Sequence, residues 1–380
     1  MTLMHHRVDG PREAPTVLLS NSLGTTLDMW DEQVAPLTAY LRVLRYDHRG
    51  HGKSPAPPGP YSIDDLGQDV LELLDHLGIE KVSVVGLSLG GMVAMWLGAR
   101  HPERVERLVL CCTAPYLGPS DTWVSRASQV RAQGTASLMP ALFERWFTAR
   151  SRTERPEILE RFGEMLSAAD DEGYASCCEA IAANDQRSEL SRIGAATMLL
   201  YGAEDPVAPP EAGEALRQAI AGAGLRVIPD AAHIANVEQP GIFTRALVEH
   251  LTGDVLDRGL AKRRAVLGAR YVDRALGDAM EFTAPFQELI SRYAWGEVWS
   301  RPGLPQPTRQ LLTIAMLVAL GRFDELELHL RAARMAGIDS DTIREVLLQT
   351  AIYAGVPAAN SAFAVARRVL AEAEDAGPGT

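Results

Sequence analysis

Val82-Ser83-Val84-Val85-Gly86-Leu87-Ser88-Leu89-Gly90-Gly91 is the stretch on which the fold turns. β-favouring residues run straight into Gly-Leu-Ser-Leu-Gly, and an apolar helical pattern follows from Met92 to Arg100. Strand, G-x-S-x-G and helix, in that order, form the context a nucleophile elbow needs. So tight a turn places Ser88 in a strained backbone conformation. It also requires small residues at 86 and 90, so that strand and helix can pass closely. The serine then stands at a helix N-terminus, where the positive end of the dipole favours a developing oxyanion.

Working outward, Thr16–Ser20, Leu41–Tyr46 and Val105–Leu110 read as further strands, with a helical pattern over Ile63–Leu77. Late in this half, Ala196–Tyr201 leads into Gly202-Ala203-Glu204-Asp205-Pro206, and Leu225–Ile228 leads into Pro229-Asp230-Ala231-Ala232-His233. Strands alternating with helices predict a mostly parallel sheet. The chain order Ser, Asp, His, each after a strand, resembles the α/β-hydrolase family. In that layout Ser88 is the nucleophile, too weak an acid to ionise alone, and His233 takes its proton. Asp205 fixes the tautomer of His233 and stabilises its cation. Glu204 is a rival acid, but Asp205-Pro206 sits where the fold's loop presents the carboxylate. The backbone N–H groups of Leu23, in the loop Asn21-Ser22-Leu23-Gly24, and of Leu89 are the expected oxyanion donors. His48 and His51, within Asp47-His48-Arg49-Gly50-His51-Gly52-Lys53-Ser54, read as loop architecture rather than as metal ligands or catalysts.

Between about 116 and 190 the strand signal gives way to helical patterns, the position at which a hydrolase fold inserts a cap over its site. Arg145-Trp146 pairs a guanidinium with a large ring, which suits a small ring bearing a carboxylate. A surface arginine beside a core tryptophan fits the same spacing.

Composition bounds the rest. The chain has 380 residues, 47% hydrophobic and 23% charged, long for one core and ordinary for a soluble globular protein. Apolar runs fall short of the roughly 18 residues of a membrane span. Met1–Pro15 has no signal-peptide pattern. The cysteines form two adjacent pairs, Cys111-Cys112 and Cys177-Cys178, a spacing that is neither a disulfide framework nor a metal motif. A reduced, cytoplasmic setting is therefore expected. A net charge of −12 argues against nucleic acid as a partner.

The hydrolase pattern ends with a helix near Gly241–Leu251, so the expected domains are 1–252 and 253–380, the second all-α. Helical patterns there cover Leu256–Leu276, Phe282–Trp295, Thr308–Leu320, Asp324–Met335, Thr342–Tyr353 and Ala358–Glu374, punctuated by glycines. Three stretches are distinctive: Tyr293–Leu304 leading to Thr308–Thr313, Glu325–Ala333, and Gln349–Asn360. Together they resemble 4-carboxymuconolactone decarboxylase over nearly all of Leu256–Glu374. The alkylhydroperoxidase D-like proteins share that fold and carry Cys-x-x-Cys before the matching histidine. Here Arg322 and Glu325 stand at those positions, and this half has no cysteine, which excludes thiol peroxidase chemistry. With that half named, Ser20–Trp30, Gly86–Gly91 and, less specifically, Arg145–Thr148 give the first half a resemblance to 3-oxoadipate enol-lactonase.

The two resemblances imply consecutive steps of protocatechuate catabolism on small anionic lactones. Loss of CO₂ from the γ-carbon of an unsaturated lactone sends electrons through the double bond to the lactone carbonyl, so the ring is its own electron sink and no cofactor or metal is expected. Arg301 and Arg309 are candidates for the substrate carboxylates. His329, the one histidine of this half, is the candidate general acid or enolate partner. Glu297 and Glu325 are candidates to tune it, Glu325 lying four residues earlier on one helix face. Trp295 and Trp299 read as core. The resemblance also implies a homo-oligomer built through the helical half. Two other readings fit the motifs alone: a helical half that is only an assembly module, and a general serine esterase or cofactor-free haloperoxidase-like hydrolase.

Overall fold

The computed structural model describes residues 3–278, 280–301 and 303–374; Pro302, within the Tyr293–Leu304 stretch, the first two residues of the first expected domain and the last six of the second lie outside the described residues. The chain divides into two compact units, Met1–Leu251 and Thr252–Thr380.

Seven strands build the first unit's sheet: β1 (His6–Asp9), β2 (Thr16–Ser20), β3 (Arg42–Tyr46), β4 (Val82–Leu87), β5 (Val105–Cys111), β6 (Ala196–Gly202) and β7 (Gly224–Ile228). Their spatial order is β1-β3-β2-β4-β5-β6-β7. β1 runs antiparallel to β3, and every other pairing is parallel. All positions of β4 are buried, as a central strand covered on both faces requires. A parallel sheet delivers its loops to one edge, and ligands bind outside the carboxyl ends of its strands. The loops after β2, β4, β6 and β7 carry Leu23, Ser88, Asp205 and His233 respectively. Helices Ser120–Gln133, Met139–Trp146, Ala149–Glu154, Pro156–Ser167 and Asp171–Ala183 fill the insertion between β5 and β6.

β1 has no counterpart in the sequence reading. It is four residues long, lies at the sheet edge and is half-exposed, so His6-Arg7-Val8-Asp9 carries no apolar alternation to read.

Among its described residues the second unit consists of helices joined by turns, with no strand. Two cores hold it: Ile314, Val318, Leu326, Leu330, Ile343 and Leu347 centre the larger, and Val266, Val272, Trp295 and Ala332 the smaller. Two sequence patterns need correction. Leu256–Leu276 is two helices, Val255–Leu267 and Ala269–Gly277, broken at Gly268 with φ +87°. Phe282–Trp295 is a helix over Ala284–Ile290 that widens into a π-helix over Ser291–Trp299. That π-helix meets Val255–Leu267 backbone to backbone: a Cβ on Gly259 would stand 1.9 Å from the Ser291 carbonyl oxygen, and one on Gly296 2.4 Å from that of Val255. Among the described residues no helix is long and apolar enough to cross a membrane.

Candidate active sites

Ser88 has φ +56° and ψ −113°, a conformation costing roughly 1–3 kcal/mol for a residue with a side chain. The surroundings enforce it. Its N–H donates to the Cys111 carbonyl at 2.9 Å, and its own carbonyl accepts from the Thr113 hydroxyl at 2.8 Å. A Cβ at Gly86 would lie 2.1 Å from the Gly90 carbonyl oxygen, and one at Gly90 2.2 Å from that of Ser20. Both expectations for the elbow, strain at 88 and small residues at 86 and 90, match this geometry.

Asp205 and His233 face one another from adjacent loops, with Asp205 Oδ2 2.9 Å from His233 Nδ1. The other carboxylate oxygen accepts from the Val207 and Ala208 amides at 2.8 and 3.1 Å, which fixes the plane of the acid. An ionised carboxylate only accepts, so Nδ1 is the protonated nitrogen and Nε2 keeps its lone pair. Glu204 is exposed. The Cys112 thiol, whose pair spacing is no metal motif, lies beside Asp205 and His233. Its sulfur, with a ligand atom of Asp205 and one of His233, forms a set all within 4.8 Å of one another. Burial pushes that thiol well above its ordinary pKa and keeps it neutral.

The loop after β2 is tethered by the two histidines that the sequence assigned to architecture. His51 Nδ1 lies 3.1 Å from the Arg49 carbonyl and must donate to it, leaving Nε2 to accept the Gly24 N–H at 3.0 Å. His48 Nε2 lies 3.1 Å from the Asn21 carbonyl. Burial lowers both imidazoles, His48 to about 3, so both are neutral near pH 7. With Gly24 occupied, the Leu23 amide is free of hydrogen-bond partners among the described residues, as is Leu89 at the first turn of its helix.

The cap pair separates. Trp146 is buried, its carbonyl accepts from the Ile234 amide beside His233 at 3.0 Å, and its ring reaches toward Gly24. Arg145 is exposed. Consecutive residues on a helix point about 100° apart, so the two do not form one carboxylate-binding face. Sequence reasoning missed Glu238. This buried carboxylate accepts from the Thr148 amide and hydroxyl at 2.9 and 2.8 Å and from the Ala232 amide at 2.6 Å, tying the cap to the histidine loop.

In the second unit His329 is half-buried on the helix Phe323–Met335. Its partner is Gln310, only 1% exposed, whose Nε2 lies 3.1 Å from His329 Nδ1 and 2.6 Å from the His329 carbonyl oxygen. Trp299, packed against the smaller core as expected, has its ring nearly parallel to the imidazole with centroids 6.1 Å apart. Desolvation lowers the His329 pKa to about 4. Glu325 is exposed in the first helical turn, where its charge meets the helix dipole rather than the ring. Glu297 lies 3.8 Å from Arg258, whose guanidinium also binds the Gly296 carbonyl. Arg309 donates to the Arg301 carbonyl at 2.8 Å. Desolvation, and then the Arg301 charge, lower the Arg309 pKa, and its buried Nε has no partner. Neither arginine meets a carboxylate among the described residues, which leaves two neighbouring cations open to an anion. Gln310 was missed, although it lies four and eight residues before the fully buried Ile314 and Val318, on their stripe.

Comparison with known proteins follows the division of the chain. Residues 15–240 match the alpha/beta hydrolase fold, and residues 284–368 match the carboxymuconolactone decarboxylase family. The 3-oxoadipate enol-lactonase 2 of Acinetobacter baylyi is 41% identical over 244 residues, 64% of this chain and 91% of that protein. The 4-carboxymuconolactone decarboxylase of the same organism is 51% identical over 113 residues, 30% of this chain and 84% of that one. The crystal structure of the enol-lactonase from Burkholderia xenovorans LB400 superposes with a TM-score of 0.65 at 46% identity, covering 66% of this chain and 96% of that one. The chain thus belongs to the α/β-hydrolase family through its first unit and to the carboxymuconolactone decarboxylase family through its second.

Proposed function

We propose that this chain is a two-site enzyme of the 3-oxoadipate pathway. It decarboxylates 4-carboxymuconolactone and then hydrolyses the resulting enol-lactone to 3-oxoadipate. The observation that carries the hydrolytic half is the strained Ser88 elbow on the sheet edge that also presents the Asp205–His233 pair. Ser88 Oγ attacks the lactone carbonyl while His233 Nε2 takes its proton, and the charge on the carbonyl oxygen falls to the Leu23 and Leu89 amides. The ring C–O bond breaks, and the enol that leaves tautomerises to a ketone, which draws the opening forward. Water then hydrolyses the acyl-serine by the same groups. Trp146 supports the pocket wall, while Arg145 stands outside it.

In the second unit Arg301 and Arg309 hold carboxylates of the substrate, and His329 serves the developing dienolate oxygen. The relatives of both halves support this reading, one being a 3-oxoadipate enol-lactonase and the other a 4-carboxymuconolactone decarboxylase. Leu312, Met316, Leu320, Ile352 and Tyr353 are exposed at 48, 56, 72, 77 and 82%, an apolar face that supports homo-oligomer formation through this unit. A solution mass above that of one chain is the expected measurement. The enzyme works in the cytoplasm on this reading. Supplying 4-carboxymuconolactone to purified protein, and following CO₂ and 3-oxoadipate together, tests the whole. Release of CO₂ with accumulation of the lactone, or no turnover of either, overturns it.

A further inference from the structure

We propose that Gln310 is a positioning residue that locks His329 in its Nε2–H tautomer, so that the histidine meets the decarboxylation transition state as a neutral hydrogen-bond donor. The inference rests on the reading above for where decarboxylation occurs. The geometry supplies the argument in three steps. Gln310 Nε2 is 2.6 Å from the His329 backbone carbonyl oxygen, and two carbonyl oxygens cannot share a hydrogen bond, so the amide is oriented with its NH₂ toward His329. The second hydrogen of that NH₂ is then the one available to His329 Nδ1, at 3.1 Å. A nitrogen that accepts this hydrogen cannot carry its own, so the ring proton belongs on Nε2. Gln310 is buried, and both of its donors are consumed, so the arrangement cannot relax by rotating into water. The Trp299 ring lies alongside, nearly parallel to the imidazole with centroids 6.1 Å apart.

The consequence is chemical. When the bond from the γ-carbon to the carboxylate breaks, its electron pair moves through the ring and charge collects on the lactone oxygen. An Nε2–H aimed at that oxygen stabilises it; an Nε2 lone pair would repel it. An Nε2–H engaged by that oxygen is not placed to protonate the ring carbon as well. The proton that reaches the ring carbon therefore comes from water, and the hydroxide left behind combines with the released CO₂ as bicarbonate. His329 is thus an enolate partner rather than a general acid. Its pKa of about 4, set by desolvation, agrees with a ring that stays neutral during turnover.

The test uses the full chain labelled with ¹⁵N-histidine at pH 7. Long-range ¹H–¹⁵N correlations are recorded, with a His329→Ala protein to assign the signals. The expected spectrum has a pyridine-like Nδ1 and a pyrrole-like Nε2 for His329; a protonated Nδ1, or an imidazolium, overturns the proposal. Gln310→Glu replaces the donor by an acceptor and should move the proton to Nδ1. The kcat for CO₂ release should then fall at least about tenfold while KM changes less than about twofold. Gln310→Leu, which tolerates either tautomer, should lose less, and lactone hydrolysis should be untouched in both. An unchanged kcat in a folded Gln310→Glu protein also overturns the proposal, and if that variant fails to fold the parent spectrum decides. The failure of the functional reading looks different: His329→Ala would release CO₂ at the parental rate while the parent spectrum still showed the Nε2–H tautomer.

Discussion

Two histidines, one in each unit, are held at the same ring nitrogen by partners of opposite polarity. His233 Nδ1 faces the Asp205 carboxylate, which can only accept, so Nε2 is left with a lone pair and on the proposed function the residue is the base. His329 Nδ1 faces the Gln310 amide nitrogen, which can only donate, so Nε2 is left with a hydrogen and the residue is a donor. Acyl transfer needs a group that removes the serine proton; decarboxylation of a vinylogous lactone needs one that holds an oxyanion. One side chain serves both, and the atom 2.9 or 3.1 Å away decides which. A histidine in a sequence therefore says little about acid or base until its neighbour is known.

The comparison breaks most visibly at the nucleophile. Ser88→Ala should remove about six orders of magnitude of lactone hydrolysis, as loss of a triad serine does elsewhere, while CO₂ release continues and enol-lactone accumulates. A folded variant that also stopped releasing CO₂ would sink the two-site model. Asp205→Asn is the sharper experiment, because an amide nitrogen turned to Nδ1 would give His233 the tautomer inferred for His329. Turnover of the lactone should fall on the order of 10⁴-fold with KM little changed. Near-parental turnover would hand the role to another acid, and the exposed Glu204 is the first to try.

How far the sequence announced this depends on whether a residue's role is written along the chain or across it. The elbow is local: Gly86, Ser88 and Gly90 are dictated by one turn, so the motif carries its own geometry. The order of Asp205 and His233 after successive strands is also local, and it survived into the structure as a hydrogen-bonded pair. What spacing could not carry was orientation between neighbours. Arg145 and Trp146 are adjacent in sequence and point apart, one exposed and one buried. Glu325 has helical register with His329 but lies in a solvated first turn. Glu297 was claimed for the site and is engaged with Arg258, a pairing across 39 positions. Gln310 was legible in principle, as a polar residue on a stripe whose next members are fully buried, since a buried amide has to find partners. Its partner, 19 positions away, was not.

A smaller effect is expected at the paired cations. Arg309 and Arg301 lie close enough for one charge to depress the other, a cost the isolated unit bears with no carboxylate partner among the described residues. A bound dicarboxylate would relieve it. Arg309→Lys keeps the charge but loses the planar fork that grips a carboxylate by two bonds. Decarboxylase kcat/KM should fall at least about tenfold, roughly 1.4 kcal/mol, with lactonase kcat/KM unaltered. Equal decarboxylase efficiency in both proteins would make Arg309 an ordinary helix-start charge.

The smallest expected effect is an absence of response, and it tests the difference between the two histidines most finely. Desolvation holds His329 at about 4, well below the ordinary imidazole value of about 6.5. The folded unit therefore keeps this ring neutral while pH drops from 8 to 5.5, whereas an unfolded chain would take up a proton near 6.5. Two consequences follow, and their signs agree. The kcat for CO₂ release should change by less than about twofold over that range, because the donor tautomer is already fully populated. The stability of the helical unit should instead decline as pH falls below about 6.5, because there the unfolded state binds the extra proton; the slope for one histidine is at most about 1.4 kcal/mol per pH unit. In His329→Gln that part of the slope should vanish, as measured by urea unfolding at pH 5 and 7 on the C-terminal transition. A CO₂-release profile with a midpoint near 6.5 would mean that His329 titrates like a histidine in water, and the contrast with His233 would have to rest on geometry alone.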